Sequence, residues 1–102
     1  MTADGTNTAY WVNTFRAIRD PDVLAAYSAL AGPVMEAHGG RFLARGIPVR
    51  SFEHGLLLRT TVIEFPSTRA AIAAYESTAY QHALTVLAGA ADRDIRIVEA
   101  AP

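Results

Sequence analysis

The sequence predicts an α+β domain in which strands and helices follow the order βαββαβ, and three observations carry that reading. The stretch "YWVNTFRA" alternates aromatic and β-branched residues and runs into the helix-start signal "DPD". The run "LLLRTTVIEF" is rich in β-branched residues and is halted by "PS", which opens a second helix. Beyond Gly89, "DIRIVEA" supplies a last strand.

Each element follows from local chemistry. Tyr10 to Ala17 forms the first strand, whose alternation divides Tyr10 and Val12 from Trp11 and Phe15. Asp20 caps the first helix with its carboxylate, and Pro21 suits the first helical position because its missing N–H has no partner there. Asp22 faces the positive end of the helix dipole. Val23, Tyr27, Leu30 and Val34 recur at helical spacing and are expected to face inward. Gly32-Pro33 predicts a kink, or a short second helix from Pro33 to about His38, and Gly39 supplies the left-handed residue that ends it.

Strand two begins with "RFLARG" at Arg41 and resumes as "VRSFE" after the Ile47-Pro48 break. His54-Gly55 reads as a hairpin turn into the central strand Leu56 to Phe65. Ser67 caps the helix "TRAAIAAYES", and Ser77 caps a further helical piece whose apolar stripe is Tyr80, Ala83, Leu84 and Leu87. This order is the ferredoxin-like arrangement, and right-handed crossovers give a four-stranded antiparallel sheet in order 4-1-3-2 with both helices on one face. Neither side of the central strand is polar enough to face water. The helix-free face is therefore expected to meet the same face of a second copy, forming a homodimer. Residues 1–8 are expected to be a disordered tail, and residues 9–102 a single domain.

Composition narrows the function classes. A chain of 102 residues, 51% hydrophobic and 19% charged, suits one globular domain. The net charge is -1 and every one of the nine basic residues is arginine, so no basic field recommends a nucleic-acid partner. The absence of cysteine excludes disulfides, thiolate nucleophiles and cysteine-held metals. "MTADGTNT" has neither a positive n-region nor an apolar stretch, and no apolar run reaches the roughly 18 residues that span a bilayer. The expectation is a cytoplasmic protein with no membrane partner.

With "HGGRFLARG", "VIEFPS" and "YESTAYQ" in that order and on those elements, the chain resembles the family known as domain of unknown function 1330, over nearly everything from residue 9 to residue 100. The resemblance implies a dimeric α/β-barrel of ferredoxin-like subunits and implies no particular reaction. Relatives of this architecture include cofactor-free monooxygenases, haem-degrading enzymes and lactone isomerases, an analogy at the level of the fold. The chain departs from the family pattern in reading Arg45-Gly46-Ile47 for Arg-Gly-Gly, and in carrying Thr78 and Ala79 between the matched Ser77 and Tyr80-Gln81.

The topology also groups candidate residues. Strand three runs against strands one and two, so Glu64 falls near Tyr10 and Arg41, and the end of helix one brings His38 to the same side. Glu64 interrupts an apolar run and calls for a cationic partner, Arg41 or Arg45. It reads either as a structural ion pair or exposed strand end, or as a carboxylate that orients a ligand or acts as base. His38 reads as a helix-end cation or as the alternative acid-base group. Arg41 and Arg45, four apart, are expected on one side of strand two, either clamping a carboxylate or solvated on an edge. Tyr80 is the tyrosine chosen as a ligand contact.

His54 and His82 lack a second ligand at helical spacing, so neither a metal nor any other cofactor is expected. The leading expectation is a homodimer binding a small, partly apolar metabolite between sheet and helices, with His38, Arg41, Glu64 and Tyr80 in contact. Any chemistry would be cofactor-free acid-base or oxidative. The alternative is a non-catalytic dimeric module in which those residues serve the turn, the cap and the ion pair.

Overall fold

The computed structural model describes residues 7–102. The element order is β1 (Ala9–Ile18), α1 (Pro21–Ala37), β2 (Arg41–Gly46), β3 (Thr60–Phe65), α2 (Thr68–Glu76), α3 (Thr78–Leu87) and β4 (Ala91–Glu99). The four strands form one antiparallel sheet in the order β2-β3-β1-β4, the same order as 4-1-3-2 read from the other edge. The expected tail falls mostly outside the described residues. Its last two residues are tied to the end of β4: Asn7 Nδ2 donates to Glu99 Oε2 at 2.8 Å and Ala100 N to Thr8 O at 2.8 Å.

Caps place the helices as the sequence implies. Asp20 Oδ1 accepts from the backbone N–H groups of Asp22 and Val23, each at 3.1 Å. Ser67 Oγ accepts from Ala70 N at 3.0 Å. Ser77 ends α2 and starts α3 at once, donating to Ala74 O at 2.8 Å and accepting from Tyr80 N at 3.2 Å. The described residues thus form three helices, the third being the second helical piece opened by Ser77.

The short second helix offered from Pro33 is not formed, since α1 runs unbroken through Pro33. Leu24, Tyr27, Ala31 and Met35 form a buried stripe on both sides of the proline, and that burial outweighs one missing backbone hydrogen bond. The inward face is accordingly turned from the expected one. Tyr27 is on it, Val23 and Val34 are half-buried, and Leu30 is exposed. Ala31, smaller than Leu30, takes the inward position beside it.

The central strand is shorter than expected. β3 starts at Thr60, while Leu56 and Leu57 are exposed in a connection that spans residues 47–59 and contains no "VRSFE" strand. Along β1 and β3 the alternation is strict. Trp11 pairs with Ile63 and Asn13 with Thr61 beneath the helices, whereas Tyr10 pairs with Glu64 and Val12 with Val62 on the open face.

Candidate functional site

Between α1 and strands β1 to β3 lies a cavity of about 40 Å³. Trp11, Phe15, Met35, Phe42 and Ile63 give it apolar walls, and Gly32 and Ala31 leave it room on the helix side. Its polar lining is Asn13, Thr61, Ser28, Tyr27, Arg45 and Arg59. Polar groups converging among apolar and aromatic walls are the usual make-up of a small-molecule site.

Asn13 sits in the buried row Trp11, Asn13, Phe15, so strand alternation drives its carboxamide under the helices with the core. Only 6% of the residue is exposed, and its Oδ1 accepts no hydrogen bond among the described residues. A buried acceptor left without a donor costs about 1 to 3 kcal/mol. Phe15 N donates to Arg59 O at 3.1 Å, which fixes the backbone of Arg59 at the cavity edge.

Arg45 reaches the same space because of a β-bulge. The register of β2 against β3 shifts between Phe42 and Ala44, so Leu43 is the extra residue and the alternation inverts beyond it. Arg41 therefore faces the open side opposite Glu64, while Arg45 pairs with Thr61 on the helix side and stacks over Phe42 at 4.1 Å. This corrects the expectation that the two arginines share a face. Arg59 is held below the usual arginine range by burial first and by the like charge of Arg45 second, with Tyr27 acting the other way. Neither Arg45 nor Arg59 has a carboxylate partner among the described residues.

The residues expected to meet a ligand divide three ways. Arg41 Nη2 and Glu64 Oε1 form an ion pair at 3.1 Å on the open face, with the arginine side chain 72% exposed. His38 caps the end of α1, its Nδ1 2.9 Å from Val34 O. Both sites lie at one end of the sheet, as the topology implies, but none of the three residues lines the cavity.

Tyr80 is fully buried on α3, and its hydroxyl is 2.6 Å from that of Tyr27, which does line the cavity. Arg93 Nη1 donates to both hydroxyls, at 2.8 Å to Tyr27 and 3.3 Å to Tyr80. Burial, foremost, and the neighbouring Tyr27 push the Tyr80 hydroxyl well above the usual tyrosine value. Among the described residues no group of three histidine, aspartate or glutamate side chains is gathered as for a metal ion.

Sequence reasoning passed over Asn13 and Arg59. The signal for Asn13 was present: a lone amide at the alternate position between two inward aromatics. Nothing in the sequence announced the bulge at Leu43 that turns Arg45 inward.

The family model described as domain of unknown function (DUF1330) matches residues 8–101. No curated protein matches the chain. A solved structure of a protein of unknown function from Rhodopseudomonas palustris is 20% identical, with a TM-score of 0.74 over 98% of this chain and 88% of that one. A dimeric ferredoxin-like protein of unknown function from Thermobifida fusca is 16% identical, TM-score 0.66, over 95% and 93%. SnoaB, a cofactor-independent oxygenase from Streptomyces nogalater, is 14% identical, TM-score 0.61, over 94% and 95%. At these identities the likeness is one of fold.

Proposed function

The chain belongs to the DUF1330 family, and from that premise we propose that it is a homodimer binding a small, partly apolar organic molecule in the cavity between α1 and the sheet. The observation that carries the reading is Asn13, whose buried Oδ1 in the cavity wall has no donor among the described residues. Arg45 and Arg59 supply the charge of the site, and Tyr27 supplies a hydroxyl held in place by Tyr80 and Arg93. Tyr80 is on this account a positioning residue. The Arg41 and Glu64 pair and His38 serve the strand end and the helix end.

Chemistry at such a site would rest on the arginines. Two guanidiniums hold and orient an anionic substrate, so any reaction there would be cofactor-free acid-base or oxidative chemistry on an anion. The oxygenase fold neighbour supports this class of reaction by analogy alone.

The homodimer is supported by surface. Ile47, Val49, Phe52, Leu56 and Leu57 are all exposed in the 47–59 connection, Phe52 to 74%. Exposed apolar side chains gathered this closely mark an interaction surface.

A thermal-shift panel of small metabolites tests the binding reading. A ligand at 100 times its Kd adds about 2.7 kcal/mol, which raises Tm by roughly 10 °C in a domain of this size. The response should survive Glu64→Gln and fall in Asn13→Leu. A panel without any stabilising compound supports the non-catalytic module, and a response abolished by Glu64→Gln with intact folding moves the site to the open face.

A further inference from the structure

The cavity has two features that together specify a ligand. It presents two arginines without a carboxylate partner among the described residues, and one buried acceptor without a donor. Arg45 and Arg59 are close enough for the charge of one to act on the other. Arg45 is exposed and Arg59 half-buried; like charges without a carboxylate at the edge of a cavity favour an anion between them, and a guanidinium matches a carboxylate through paired N–H donors. A guanidinium already stacked on Phe42 also offers a flat surface to a planar ligand.

The acceptor sets the other end. Asn13 Oδ1 cannot bond to a carboxylate, since both only accept, so it calls for a hydroxyl or N–H. The half-open space of about 40 Å³ takes one such group and a few atoms, which leaves the body of the ligand toward the arginines.

We propose that the cavity recognises a small planar hydroxy acid, with its carboxylate on Arg45 and Arg59 and its hydroxyl donating to Asn13 Oδ1. This rests on the reading that the cavity is a ligand site and adds the chemical class.

Matched probes on the unmodified chain separate the two claims. Trp11, the one tryptophan, lines the cavity, so its fluorescence reports occupancy. The probes are 4-hydroxybenzoate, its neutral analogue 4-hydroxybenzamide, and benzoate, which lacks the hydroxyl. The expected order is 4-hydroxybenzoate tighter than either analogue by about tenfold or more. The preference over the amide should vanish in Arg45→Gln/Arg59→Gln, and the preference over benzoate in Asn13→Leu.

Equal affinity for the acid and the amide overturns the anion assignment while leaving the cavity a ligand site. Equal affinity for 4-hydroxybenzoate and benzoate overturns the role of Asn13. No change in Trp11 emission with any probe at millimolar concentration overturns the class and the cavity reading together.

Discussion

At the scale of single residues, the side chains that matter are those whose polar atoms are buried. The hydroxyls of Tyr27 and Tyr80 share a proton donor in Arg93, so Tyr80→Phe removes one partner and leaves Tyr27 still bonded to the guanidinium. That variant should lose about 1 kcal/mol in urea denaturation and keep its fold. The same tyrosine makes stability depend on pH. Its folded value lies above the usual 10.0, so the folded chain holds its proton where the unfolded chain has released it. The contribution is whole below pH 10 and declines as pH climbs toward the raised folded value. Alkaline titration of stability should therefore fall less steeply in Tyr80→Phe than in the parent. On the acid side, Arg19 depresses Asp92, and Arg96 foremost with Arg16 depresses Asp94, so what these exposed pairs add is lost as pH falls below the usual aspartate range.

At the scale of elements, the turn between α1 and β2 shows how two adjacent glycines differ. Gly39 has φ of 85° and takes the left-handed conformation that ends the helix. Gly40 is needed for close approach, because a Cβ there would lie 2.8 Å from Met35 O and 3.0 Å from the Phe65 ring. Gly40→Ala should cost about 1 to 3 kcal/mol by chemical denaturation, whereas Asp20→Ala at the other end of α1 should cost about 1 kcal/mol. Turn and cap chemistry of this kind is written in short stretches and was legible. The limits of β3 were not, because "LLLR" has strand propensity and only tertiary pairing decides where a strand starts. The bulge at Leu43 was invisible for a related reason: it is a matter of register against β3, and with it went the placement of Arg45.

At the scale of the whole molecule, alternation in β1 divides Tyr10 and Val12 from Trp11 and Phe15 in the sequence itself, since a buried residue and its neighbour must point apart. Antiparallel topology places Glu64 near Tyr10 and Arg41, and the structure pairs it with both. The sequence led to a site between sheet and helices but not to the residues that wall it. A cavity is set by which side chains fall short of one another, and here Ala31 and Gly32 face Asn13 and Thr61. The open face and the apolar 47–59 connection predict a second copy. Light scattering at micromolar concentration should give twice the mass of one chain, and a strictly monomeric species contradicts the homodimer. The central claim, that the cavity rather than the Arg41 and Glu64 pair is where a ligand sits, is tested most directly by amide chemical-shift mapping with 4-hydroxybenzoate. The account predicts shifts at Asn13, Ser28, Ala31 and Thr61 with those of His38, Arg41 and Glu64 unmoved; shifts confined to the latter three would contradict it.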